Sequence, residues 1–294
     1  MASFIKNITL FCGLVGLFFT INFMINYHRL TDPAKLEGSI LIMGDSHLKT
    51  ALDPSVLPES SNVCSGAESY VMTFYKLKKL IRENPQINEI FLSFSYNNFS
   101  AYQELRLNGS KAKSQFIRYY EILPFDLPEQ IEINDSKFYH TYIRELALYP
   151  NYFESKYLGG FEKHEPGIER SDLTETINKH YYPEGEFVGI STYARAYLDS
   201  IAQFTKSKEI LLTLVAAPLH DAYREKVPTE IQAHYSEVKS AMEEQGIPVL
   251  DFIDLPLDDV FFKDYDHLNY EGAKQFTARI SDIKNPVNNR QQGQ

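Results

Sequence analysis

Short apolar runs with no wet face constrain this chain more than any other feature. They are "ILIM" at 40–43, "INEIFLSFS" at 87–95, "EILLTLVAAP" at 209–218 and "IPVLDFI" at 247–253. A strand with one face in water alternates apolar and polar residues, whereas a near-continuous run needs a sheet covered on both faces. Between the runs the period changes. Val71, Phe74, Tyr75, Leu77, Lys78 and Ile81 recur at helical spacing within 67–84, and Pro85 closes that segment. Further helices are expected near 191–206, near 228–245 and over Tyr270–Ile283, and a short second strand over "NVCSG" at 62–66. Strands alternating with helices at this spacing predict an α/β protein with a parallel, helix-flanked sheet.

Two regions fall outside that pattern. Ile8 to Ile25, "ITLFCGLVGLFFTINFMI", carries no charge and is close to the length that spans a bilayer. Lys6 precedes it, and no small-x-small cleavage site comes after it, so a retained signal anchor is expected. Lys6 on one side and His28, Arg29 and Lys35 on the other barely discriminate by the positive-inside rule. An N-terminal anchor of this kind usually exports the domain attached to its carboxyl end, which places the main domain outside the cytoplasm. From Phe99 to about Gly189 the text becomes aromatic, polar and interrupted by proline, as in "FIRYYEILPFDLPEQ". A structureless loop of that length is rare in a compact domain, so a helical or irregular insertion is expected, acting as a lid or substrate platform. The expected organisation is an anchor over 1–26, a linker over 27–38, an α/β domain over 39–284 with the insertion at about 99–189, and a disordered tail over 285–294.

The formal charge of −10 and the lack of any basic block beyond "KLKKLIR" at 76–82 argue against nucleic acid as a partner. That "KLKK" run is expected on the solvated side of its helix. Of the two cysteines, Cys12 lies in the apolar segment, so a disulfide with Cys64 is not expected, and a cysteine-built zinc site is excluded.

Ligands of open α/β sheets sit beyond the carboxyl ends of the strands. Ser46 comes after the first strand, Gly66 after the second, and Asn97 and Asn98 after the third. A serine nucleophile needs a base oriented by a third group. "FFKDYDHLNYEGAKQF" at 261–276 supplies His267, and Asp264 three residues earlier could reach its imidazole across a turn. Asp266 is the rival for that role, but in an extended segment adjacency would turn it away. His47 would face elsewhere, Asp45 would brace the turn, and His220 could border the pocket. His140, His164 and His180 are too scattered to read as a metal site and fit a surface or lid.

These blocks together resemble the SGNH (GDSL-type) serine hydrolases over about Ser39–Ser95 and Ser191–Ile283. "GDSH" at 44–47 is similar to that family's first block, "CSGAES" at 64–69 to its second, and "DYDHLN" at 264–269 to its fifth. "SYNN" at 95–98 stands where the third block, Gly-x-Asn-Asp, belongs, with Ser95 in place of the glycine. The resemblance implies a flavodoxin-like sheet and a triad of Ser46, His267 and Asp264. It also implies an oxyanion hole from the Ser46 and Gly66 N–H groups and the Asn97 amide, and it requires neither cofactor nor metal. Membrane-anchored relatives with an insertion between the third and fourth strands look like partners of multi-spanning acyltransferases that decorate cell-surface glycans. The expected function is therefore an esterase or O-acyltransferase on a carbohydrate or surface-polymer ester. A non-catalytic, membrane-tethered binding or assembly protein is the alternative.

Overall fold

A computed structural model describes residues 1–133, 135–148, 156–165 and 172–284, so the tail expected over 285–294 lies outside the described residues. The elements run α1 (Ala2–Thr31), β1 (Ile40–Met43), α2 (Ser46–Ala51), β2 (Ser60–Asn62), α3 (Tyr70–Glu83), β3 (Glu89–Ser93) and α4 (Tyr102–Asn108). Next come α5 (Ala112–Tyr119), α6 (Leu127–Gln130), α7 (Asp135–Ala147), α8 (Leu173–Tyr181), α9 (Ala194–Ser207) and β4 (Leu211–Ala216). The last are α10 (Asp221–Arg224), α11 (Thr229–Glu244), β5 (Val249–Asp251) and α12 (Tyr270–Lys284). The chain forms two compact units, one of Met1–Ala34 with Leu105–Tyr157, the other of Lys35–Glu104 with Leu158–Gln294.

The second unit holds the sheet. All strand pairs are parallel and the order is β2-β1-β3-β4-β5, the flavodoxin-like arrangement. Every residue of β1 is buried, as a strand covered on both faces requires. One face packs Ile40, Ile42 and Phe91 against Leu48, Phe276 and Ile280 from α2 and α12. The chain leaves β1 toward β2 and returns on the other side to β3, so the crevice beyond the ends of β1 and β3 is the topological switch point.

Two expectations change here. Strand pairing covers Ser60–Asn62 rather than 62–66, because the Asn62 amide turns inward, donating to the Leu48 and Leu52 carbonyls and accepting from Cys64 N–H. The "KLKK" run is not solvated throughout. Lys76 is wholly buried, held by the Glu68 carboxylate at 2.5 Å and the Val63 carbonyl at 2.7 Å, and Lys79 is buried beside Glu83.

The first unit holds α1, which is long and apolar enough to cross a membrane. It continues through Thr31, into the segment read as linker. Most of its large side chains are exposed, but Asn22 and Asn26 are buried. Asn26 Nδ2 donates to the Glu145 and Leu146 carbonyls at 2.9 Å each, and Asn22 Nδ2 to the Ala147 carbonyl at 3.4 Å. These are the orphan acceptors at the end of α7. On its inner face, α7 packs Phe138 edge-on to Phe116 of α5, 5.3 Å between centroids.

Candidate active site

The turn after β1 is built around a carboxylate. Gly44 has φ +120°, and a Cβ there would lie 2.4 Å from the Ser93 Cβ, so only glycine lets the chain pass. Asp45 then caps α2, accepting from His47 N–H at 3.0 Å. Its carboxylate, fully buried, also accepts from Ser93 Oγ at 2.6 Å, Asn97 Nδ2 at 3.0 Å and Asn98 Nδ2 at 2.9 Å. Burial alone would raise the Asp45 pKa. The charge of His47 and these hydrogen bonds outweigh it and hold the carboxyl below its ordinary value. Asp45 thus ties the ends of β1 and β3 together and places Ser46 at the first helical position of α2.

The second half of the site comes from the turn before α12. Asn269 fixes that turn, accepting from Glu271 and Gly272 N–H at 3.0 and 3.1 Å and donating to the Val260 and Phe262 carbonyls. The helix α12 is fastened to α2 through Thr277, which donates to Ala51 O and accepts from Asp53 N–H. This contact between the first and last blocks brings their chemistry together. Asp264 accepts from the backbone N–H groups of Asp266 and His267, at 3.1 and 2.8 Å. Its two oxygens lie 2.9 and 3.1 Å from His267 Nδ1. That leaves His267 Nε2 buried and, among the described residues, without a hydrogen-bond partner, Ser46 Oγ included. The ring of His47, the residue after Ser46, meets the His267 ring at 5.3 Å between centroids and 69° between planes.

Two sequence expectations are corrected at this point. Asp266 does not turn away, for the turn closed by Asp264 is not extended. Its carboxylate is buried, 3.3 Å from His267 Nδ1 and 3.5 Å from His47 Nε2. Nor does His47 face elsewhere, since it is buried within this cluster. Burial alone would lower the His267 pKa, but the charge of Asp266 and hydrogen bonds to Asp264 and Asp266 raise it to about 10. Burial would conversely raise Asp266, and the His267 charge with the approach of both imidazoles drives it well below the ordinary carboxylate value. His47, Asp266 and His267 each offer an atom within 4.8 Å of the others, and among the described residues this is the one group that could hold a metal ion. An ion there would compete for the imidazole that a serine needs.

Gly66 lies in the turn between β2 and α3, and Asn97 sits beyond β3 with its amide nitrogen on Asp45. His180 is not a surface residue. It is buried, its Nδ1 is 2.8 Å from Tyr223 Oη, and burial pulls its pKa down to about 4. His220 caps α10, its Nδ1 accepting from Ala222 N–H and its Nε2 lying 3.1 Å from Asp259. His140 is exposed on α7.

Part of the rim was invisible in the sequence. At Gly159 a Cβ would fall 1.7 Å from the Cys64 carbonyl oxygen, so the chain passes in backbone contact with the second block. Gly160 N–H donates to that carbonyl at 3.0 Å and Glu162 N–H to Lys49 O at 2.9 Å, while His164 O accepts from Tyr270 N–H at 2.8 Å. The segment 158–165 of the insertion therefore runs as a strap past the turn after β2, helix α2 and the start of α12. The "GG" pair was the one available signal.

A five-stranded parallel sheet in 2-1-3-4-5 order, with a Ser, a His and acidic residues gathered beyond its strand ends, defines an α/β protein of the flavodoxin-like class. A protein-family model matches residues 128–287, which include α7, β4, β5 and the Asp264–His267 turn but not Ser46, and the chain belongs to that family. No curated protein matches by sequence. Among solved structures, the chain is similar to the lipase/acylhydrolase from Enterococcus faecalis, at 14% identity and TM-score 0.40, covering 84% of this chain and 94% of that one. It is also similar to a GDSL-like lipase from Bacteroides thetaiotaomicron, at 11% identity and TM-score 0.40, covering 93% and 98%. Likenesses so remote leave the functional reading to the geometry of the site.

Proposed function

We propose that the chain is a serine-dependent esterase or O-acyltransferase. One observation carries this reading: His267 Nδ1 is held by Asp264 while its Nε2 is left unpartnered, beside the residue next to Ser46. With Nδ1–H donated to a carboxylate, Nε2 is the ring atom that can accept the Ser46 proton. The serine oxygen then attacks an ester carbonyl, and the alcohol leaves with the proton returned by His267. Water or a second hydroxyl resolves the acyl-enzyme. The Ser46 and Gly66 N–H groups and the second N–H of the Asn97 amide are the oxyanion donors. Each is worth roughly 3–4 kcal/mol of transition-state stabilisation in such sites.

The apolar α1 supports a retained anchor, with the domain outside the cytoplasm and a carbohydrate or surface polymer as the ester-bearing substrate. A multi-spanning membrane acyltransferase is the partner that such an arrangement would serve. A second reading is a membrane-tethered binding or assembly protein without turnover. The engagement of Asn97 with Asp45 favours it. Labelling by a fluorophosphonate separates the two. Labelling that is lost in Ser46→Ala supports the enzyme, and well-folded protein that takes no label supports the binding module.

A further inference from the structure

Asn22 and Asn26 raise a separate question, because two carboxamides near the end of an apolar run must find partners if the run is in lipid. Their partners are the last carbonyls of α7, acceptors that water satisfies at most helix ends. The pairing also has a direction. Asn22 meets Ala147 while Asn26 meets Glu145 and Leu146, so α7 runs antiparallel to α1 and its carboxyl end points back along the apolar run.

The side chains are graded along that direction. At the tip Leu148 is 42% exposed, and about 7 Å back, at 1.5 Å per residue, Ile143 is 60% exposed. Next come Tyr142, one residue back, and Tyr139, one turn back on the same face as Ile143, both half-buried, with Phe125 packed against them at 5.4 and 4.7 Å between centroids. Phe125 is itself 54% exposed. Exposed aliphatic residues at the deep end, with Arg144 between them folded onto Glu145, and Tyr139 one turn outward of Ile143 is the order that a bilayer boundary selects. Charge agrees. Residues 1–34 and 105–157 hold 9 Lys and Arg against 8 Asp and Glu, so the rest of the chain carries the whole net negative charge, which anionic lipid repels.

We propose that the carboxyl end of α7, with Phe125, is seated in the boundary layer of the bilayer, making this helix a second membrane contact beside α1. The inference rests on the anchor reading. It also gives part of the insertion a role other than covering the substrate.

The chain contains no tryptophan, so single-Trp variants report without background. Full-length Ile143→Trp, Phe11→Trp and Val260→Trp are reconstituted into phosphatidylcholine vesicles and quenched with brominated lipid or with aqueous iodide. Val260 is 63% exposed in the unit that holds the sheet. The expected result is strong bromolipid quenching of Phe11→Trp and Ile143→Trp, with Val260→Trp losing emission only to iodide. Iodide quenching of Ile143→Trp equal to that of Val260→Trp, while bromolipid still quenches Phe11→Trp, overturns the α7 contact and leaves the anchor standing. Loss of bromolipid quenching at Phe11→Trp overturns the anchor and the contact together. A concentration-dependent blue shift of Ile143→Trp in detergent without lipid assigns the face to a second copy of the chain, and overturns the proposal.

Discussion

Asp45 and Asp266 are both buried carboxylates a few residues from a proposed catalytic group, yet they are held in different ways. Asp45 takes all its hydrogen bonds from a backbone N–H, a hydroxyl and two carboxamides, none of which titrates in the physiological range, and meets the His47 charge only across space. Asp266 is met by two imidazoles, whose charge depends on pH. Neutral donors make a carboxylate a permanent part of the frame. Imidazoles make its charge and theirs conditional on each other. The first arrangement suits a residue that positions a serine, and the second suits a residue that sets when a base is available.

The largest expected effect belongs to the conditional side. His267→Ala should lower turnover of an activated short-chain ester by about 10²–10⁴-fold, the usual contribution of a general base, and should also lower the melting temperature at neutral pH, because the buried Asp266 carboxylate loses its cationic neighbour. Turnover equal to wild type would remove His267 from the mechanism. On the permanent side, Asp45→Ala leaves Ser93, Asn97 and Asn98 without their acceptor. At roughly 1–3 kcal/mol for each orphaned buried group, urea unfolding should show a loss of about 3 kcal/mol or more. A loss below about 1 kcal/mol would contradict the frame role.

Asp266→Asn should act on pH rather than on the frame. Removing its charge lowers the His267 pKa, so the acid limb of kcat/KM, placed above neutral in the wild type, should move to lower pH. An unmoved limb would break the contrast between the two carboxylates. Stability should show the same linkage. The folded His267 value of about 10 lies above the unfolded value of about 6.5. The imidazolium therefore stabilises the fold fully below pH 6.5, and this stabilisation is lost as pH rises toward about 10. Urea midpoints between about pH 7 and 10 should fall less steeply in Asp266→Asn than in wild type. The smallest effect belongs to Lys49→Ala, because the Lys49–Glu162 ion pair is partly exposed. It should cost at most about 1 kcal/mol.

The sheet was legible because its strands are apolar on both faces and its helices carry a separate period. The Asp264–His267 contact and the place of Ser46 beyond β1 were legible because their motifs are short and local. What escaped depended on side chains folding back. Asp266 was misread by assuming strand alternation, whereas the Asp264 carboxylate closes a turn that returns both Asp266 and the imidazole to one side. Lys76 was misread because helical period alone cannot foresee a buried carboxylate from Glu68. The division of the insertion between the two units, with 105–157 grouped with α1, has no counterpart in composition or spacing.

The strap at 158–165 is positioned by main-chain groups, a glycine against a carbonyl and three amide hydrogen bonds, and is fastened further by Glu162 on Lys49 and by Lys163 over the Tyr270 ring. Main-chain contacts of this kind hold their course when side chains change. Phe161 can therefore vary without moving the border, whereas replacing Lys163 would also release the ring of Tyr270, 4.0 Å away.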